Sequence, residues 1–183
     1  MRKVEVETLL DHMYWVNHRI LEAAARLTPD ELTGRDATPR DLRATLVHEL
    51  DVEWSWRLAL QHRPAEEWAS EKELKAEDFA ELAAIRQRWL ADEAEMRAWI
   101  AGLSDDDLEA TVHPGLSRDS RPMWQFLIHI VMHAAQQQAD AATLLTAAAH
   151  SPGEIGFLEY LAASAGEAER DRRGGTAATG ASS

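Results

Sequence analysis

The residues of this chain best suited to hold a metal ion or a polar ligand are histidines and glutamines in the segment 122–139. His129 and His133 are four residues apart, as are His133 and Gln137, so on a helix the side chains of each pair project side by side. Paired imidazoles at this spacing are a common way for a helix to provide two metal ligands. The segment contains no Asp, Glu, Lys or Arg, although 28% of the chain is charged. This composition is unusual for the solvated side of a helix.

Three interpretations of this polar stripe stay open from the residues alone. The stripe is the solvent-facing side of an amphipathic helix, or its histidines are buried and satisfied by hydrogen bonds without metal, or it lines a metal or substrate pocket. His48, on an earlier predicted helix, supports the pocket because small residues such as Ala44 and Ser55 share its face and leave space. This interpretation requires the helix that carries the stripe to face His48 across the bundle.

The elements that must position these residues are predicted to be helices, because apolar residues recur at a spacing of three and four. Four long helices are predicted, over about residues 4–27, 38–61, 76–101 and 122–150. Short helical turns are predicted after three capping residues, which are Thr28, Ser104 and Ser151. Residues 111–121 contain Pro, Gly and Ser and are predicted to form a loop, with room for a short extended piece. This pattern predicts an all-α four-helix bundle with short extra helices.

The C-terminal segment 166–183 consists of Gly, Ala, Ser, Thr and a cluster of charged residues, with no large apolar side chain. Such a segment cannot bury enough surface to offset the entropy lost on ordering it. We therefore expect one domain over residues 1–165, with a last short helix to about Ala163, followed by a disordered tail.

Composition and charge exclude several classes of protein. The chain has no Cys, which excludes disulfide scaffolds, thiolate zinc sites and cysteine nucleophiles. Its net charge of −13 is the opposite of what a general binder of nucleic acid or anionic membranes carries. The N-terminus has charges where a signal peptide needs an apolar run, and no stretch has the composition of a membrane span. We expect a cytoplasmic protein with no nucleic-acid or membrane partner.

The order and spacing of the helices resemble the DinB/YfiT-like superfamily of metal-dependent bacterial proteins over about residues 5–163. Three stretches carry the resemblance: Leu9–Asn17 (LLDHMYWVN), Asp41–Trp56 (DLRATLVHELDVEWSW) and Trp124–Gln137 (WQFLIHIVMHAAQQ). The resemblance implies a four-helix bundle, often a homodimer, with a divalent metal such as Zn, Ni or Mn. In the family this metal is held by three His, one from the second helix and two from the late helix.

Carried over by position, the first two of these ligands fall on His48 and His133, and the third falls on Gln137. An amide oxygen is a poorer ligand than imidazole for zinc or nickel. The site then holds metal weakly, recruits His129 or a nearby carboxylate, or has lost the metal.

Some members of this family transfer low-molecular-weight thiols such as mycothiol or bacillithiol. The resemblance therefore implies an S-transferase or a related enzyme with a small-molecule thiol substrate. The alternative is a non-enzymatic, stress-associated or ligand-binding bundle whose metal site has decayed at Gln137.

Overall fold

The computed structural model describes residues 1–34, 38–68 and 72–178. Its seven described α-helices are α1 (Lys3–Ala24), α2 (Pro29–Leu32), α3 (Leu42–Leu60), α4 (Leu82–Ala101), α5 (Asp105–Glu109), α6 (Met123–Ala147) and α7 (Phe157–Ala178). Single turns of 3₁₀ helix lie at Ala65–Glu67 and Ala76–Asp78. Two short strands, β1 (Thr111–Val112) and β2 (Arg121–Pro122), pair antiparallel and close the loop before α6. The predicted all-α class is confirmed.

The four long helices α1, α3, α4 and α6 form the bundle. The most extensive packing is that of α6 against α3 and α1, while α4 packs against the same two helices. The predicted apolar stripes lie in the core, since Met13, Ile20, Ile85, Trp89 and Met96 are all almost completely buried. Because α3 and α6 are neighbours, residues on their facing sides come together.

Two of the predicted capping sequences start helices as expected. The Thr28 hydroxyl accepts a hydrogen bond from the Glu31 backbone N–H at 3.3 Å, while the Glu31 carboxylate accepts from the Thr28 N–H at 2.8 Å. Ser104 and Asp107 make the same reciprocal pair at the start of α5. Each pair satisfies two backbone donors that the first turn of a helix leaves free.

Three helix starts differ from the prediction. Helix α3 was predicted to start at Thr38 but begins after Asp41, whose carboxylate accepts from the Ala44 N–H at 2.7 Å. The Thr38 hydroxyl does not cap the helix, because it donates to the Arg40 carbonyl. Helix α4 begins at Leu82, because Phe79 has a non-helical backbone (φ −116°, ψ 86°) that ends the preceding 3₁₀ turn. The capping box predicted at Ser151 was wrong, since residues 151–156 are not helical.

The chain divides into two compact units, Met1–Pro152 and Gly153–Ser183. Gly153, at the start of the second unit, has a φ of 77°, a left-handed conformation that suits glycine. Helix α7 continues to Ala178, past the predicted end at about Ala163. Residues 162–173 are rich in Ala, Glu and Arg, which have high intrinsic helix propensity. Residues 179–183 of the predicted tail lie outside the described residues.

None of the helices described combines the length and apolarity that crossing a membrane requires.

Candidate functional site

The structure brings His48 of α3 and His133 of α6 together. Their ring centroids are 5.1 Å apart, and the ring planes meet at 71°, so the contact is edge to face. The close packing of α3 on α6 positions the pair. The family resemblance predicts this juxtaposition, because it assigns both histidines to one metal site, and each lies on the polar or small-residue side of its helix.

Both rings are half-buried, and their environment favours the neutral form. Burial, together with the nearby His48, His129 and Arg40, lowers the pKa of His133 to about 4. Burial and Arg40 also lower the pKa of His48, while the Glu73 carboxylate acts in the opposite direction. At neutral pH both imidazoles are therefore uncharged, which is the form that can bind a metal ion.

Gln137 lies one helical turn beyond His133 on α6 and is buried, with 8% of its surface exposed. Its carbonyl oxygen Oε1 has no hydrogen-bond partner among the described residues. An unsatisfied buried acceptor costs about 1–3 kcal/mol. This position therefore favours a cation or a proton donor that would satisfy the oxygen.

His129 lies at the outer edge of the same helix face and is exposed. Its ring contacts the Trp56 indole edge to face, with centroids 5.1 Å apart. Trp56 in turn stacks on Phe126 at 5.5 Å. The solvent-face interpretation thus holds for His129 and Gln136, which are exposed, but not for His133 or Gln137.

The family's three-histidine pattern is incomplete here. Within the described part of the chain, no three His, Cys, Asp or Glu side chains are close enough to hold a metal ion. The pair itself fits an ion, because two imidazoles bound tetrahedrally at about 2.1 Å place their ring centroids about 5 Å apart. By their chemistry, two imidazoles and one amide oxygen are donors suited to a weak, open metal site.

A buried polar network beside this site was missed by the sequence reasoning. Glu49 and Glu53 of α3 are each only 1% exposed, although both are acidic. The Gln138 amide Nε2 donates to the Met13 carbonyl at 3.0 Å, to Asn17 Oδ1 at 2.6 Å and to Glu49 Oε1 at 3.3 Å. Burial, strengthened by the neighbouring Glu53, raises the pKa of Glu49 well above its usual range. The network ties α1, α3 and α6 together behind the histidine pair.

The second half of this network joins α3 to α4. The Arg57 guanidinium donates to the Asp92 carboxylate, and both side chains are almost completely buried. The Tyr14 hydroxyl donates to Glu53. A signal for this cluster exists in the sequence, because Glu49, Glu53 and Arg57 fall on the same helical arc as the core leucines of α3.

Fold and site together define a helical-bundle protein with an interhelical pair of neutral histidines. The model of the DinB family matches residues 1–172, and the chain belongs to that family. No curated protein matches the sequence.

Proposed function

We propose that this protein binds a divalent cation (Zn, Ni or Mn) through His48 and His133, with Gln137 Oε1 as a third and weaker ligand. The observation that carries the proposal is the pair of half-buried imidazoles with centroids 5.1 Å apart, on two helices packed against each other. Because burial lowers the pKa of His133 to about 4, this ligand does not have to lose a proton to bind metal at neutral pH.

The activity that we propose for this site is transfer of a low-molecular-weight thiol of the mycothiol or bacillithiol type. A divalent ion, when bound, lowers the pKa of a coordinating thiol so that the nucleophilic thiolate forms at neutral pH. The chain's contribution is to hold the two imidazoles in place and to leave one side open. Arg40 lies near enough to both histidines to lower their pKa values, and its positive charge also attracts an anionic substrate.

A homodimer is also part of the proposal, as the family resemblance implies. The outer side of α6 supports it, because Met132 is 59% exposed and is followed on the same face by the exposed Ala135 and Ala139. An exposed methionine beside small residues lets a second helix approach closely.

The second candidate function is a non-enzymatic, stress-associated or ligand-binding bundle whose metal site has decayed. Gln137 at a histidine position supports it, as does the absence of a three-ligand His or carboxylate group among the residues described. The two candidates differ first in whether the protein binds a metal ion at His48 and His133, and then in whether the metal-loaded protein reacts a thiol.

The test uses protein without a histidine tag. Zn, Ni and Mn should each be tested for a rise in melting temperature, since a ligand that binds only the folded state stabilises it. We expect a rise for at least one metal, its loss in His48→Ala and in His133→Ala, and no loss in His113→Asn, an exposed loop histidine. A rise that survives both site substitutions would place the metal elsewhere, and no rise with any metal would overturn the proposal.

The metal-loaded protein should then catalyse the reaction of mycothiol or bacillithiol with 1-chloro-2,4-dinitrobenzene faster than His48→Ala does. Metal binding without any such acceleration would overturn the proposed transferase activity and leave the metal site standing.

A further inference from the structure

A groove beside the histidine pair is formed by two adjacent cavities that share Trp56 and Leu116 as walls. One cavity, of about 480 Å³, is bounded by Arg118 and Arg121. The other, of about 430 Å³, is bounded by Asp51 and Glu73. We call these two cavities together the Trp56 groove. Their volumes are in the range of small-molecule sites.

The centre of the Trp56 groove is aromatic and apolar. Trp56 is held by stacking on Phe126 at 5.5 Å and by the edge contact with His129 at 5.1 Å. Leu116, across the shared wall, is 41% exposed although it is a large apolar residue. A fixed indole and an exposed leucine are suited to cover the apolar body of a ligand.

The two ends of the groove carry opposite charges. Arg118 makes no ion pair with any described residue. Arg121 makes an exposed ion pair with Asp119 at 2.6 Å, and a ligand carboxylate can replace Asp119 at low cost because exposed ion pairs are weak. Two guanidiniums on the rim of a protein with a net charge of −13 form a local site for an anion. At the other end, Asp51 and Glu73 disfavour a second negative charge.

We propose that the Trp56 groove binds aromatic or apolar monocarboxylates, with the carboxylate at Arg118 and Arg121 and the apolar body on Trp56 and Leu116. The groove extends towards the proposed metal site, because the wall of its Arg118 and Arg121 cavity includes His129, one helical turn from His133 on α6. If the proposed transfer activity is correct, the substrates are α,β-unsaturated acids of this class, which add the thiol sulfur at the β-carbon and a proton at the α-carbon with no leaving group. Binding in the groove does not itself rest on that activity, since Arg118, Arg121 and Trp56 are not among the proposed ligands.

The test is isothermal titration of the full chain with 3-phenylpropionate in the presence of EDTA, so that no metal takes part. Two comparison probes keep the phenyl body: neutral 3-phenylpropanamide, and the dianion 4-(2-carboxyethyl)benzoate. We expect the monoanion to bind at least about tenfold more tightly than the amide, because charge-assisted hydrogen bonds are about twice as strong as neutral ones. The dianion should also bind more weakly than the monoanion.

The matched variants separate this site from a general effect of charge. Arg118→Gln/Arg121→Gln should weaken 3-phenylpropionate binding at least about tenfold, whereas Arg86→Gln, an exposed arginine on α4, should leave it unchanged. Trp56→Leu should weaken the binding of the monoanion and of the amide by the same factor. Circular dichroism should show the same helix content in all variants. Equal affinity for acid and amide, no loss in the double arginine variant, or no binding of 3-phenylpropionate would overturn the proposal. Because metal is absent from all of these titrations, such a result would not decide whether His48 and His133 bind metal.

Discussion

Replacing Glu53 by Gln should change how the stability of the protein depends on pH. Glu53 is only 1% exposed; the Tyr14 hydroxyl donates to its Oε1, and its Oε2 has no partner among the described residues. Burial and the nearby Asp92 charge raise the pKa of Glu53 to about 8, although Tyr14 and Arg57 act against this rise. The folded protein therefore keeps Glu53 protonated at neutral pH, and Gln reproduces a neutral side chain of the same shape.

The expected magnitude follows from the two pKa values. An unfolded Glu has a pKa of 4.5, against about 8 in the folded protein. Between these values the unfolded chain has released a proton that the folded state keeps, so stability falls as pH rises, by about 1.4 kcal/mol per pH unit. From pH 6 to pH 8 the wild type should lose about 2 kcal/mol more than Glu53→Gln does. Below pH 4.5 both states hold the proton, and the difference no longer changes.

Urea unfolding at pH 6, 7 and 8 measures this difference directly. The control is Glu22→Gln, an exposed glutamate of α1, which should follow the wild-type dependence. If Glu53→Gln and the wild type lose the same free energy between pH 6 and pH 8, Glu53 is ionised in the folded state and the reasoning from burial is refuted.

Three further predictions concern the site, the buried ion pair and the oligomer. Gln137→His should provide a third imidazole and tighten zinc or nickel binding about tenfold or more in titrations, and adding His48→Ala should remove the gain. Unchanged metal affinity in the folded Gln137→His variant would mean that position 137 does not reach the ion. Arg57→Met should lower the free energy of unfolding by about 3–5 kcal/mol, because it leaves Asp92 buried without its partner, and Arg57→Met/Asp92→Leu should recover most of the loss in urea titrations. Light scattering at micromolar concentration should give the mass of two chains for the wild type and of one chain for Met132→Glu; a monomeric wild type would contradict the dimer.

The histidine pair could be predicted because helix periodicity places each histidine on a face of its helix, and the family resemblance indicates that these two helices meet. His133 lies in a charge-free stretch, and His48 shares its face with small residues, so both sides of the α3–α6 contact carry a visible signal. The distance between the rings could not be predicted, since it depends on how closely the two helices pack.

The buried network could not be recognised in the same way, because an acidic residue is expected in solvent unless a partner is known. Glu53 and Arg57 lie on the core side of α3, but their partners Tyr14 and Asp92 come from α1 and α4. Sequence spacing within one helix cannot identify a partner on another.

The Trp56 groove and the extent of α7 show two further limits. Arg118 and Arg121 lie in the connection before α6, where side-chain position follows from the loop path and not from a period. For α7, the lack of large apolar residues suggested an end near Ala163, whereas the high helix propensity of residues 162–173 favours continuation beyond it.

The most direct test of the central claim is the metal content of the protein purified without a histidine tag. After incubation with Zn, Ni or Mn and removal of excess ion, mass spectrometry of the dissolved metal gives the number of ions per chain. We predict about one ion per chain for at least one of these metals, and its loss in His48→Ala/His133→Ala. Content well below one per chain for all three metals would contradict the claim that His48 and His133 form a metal site.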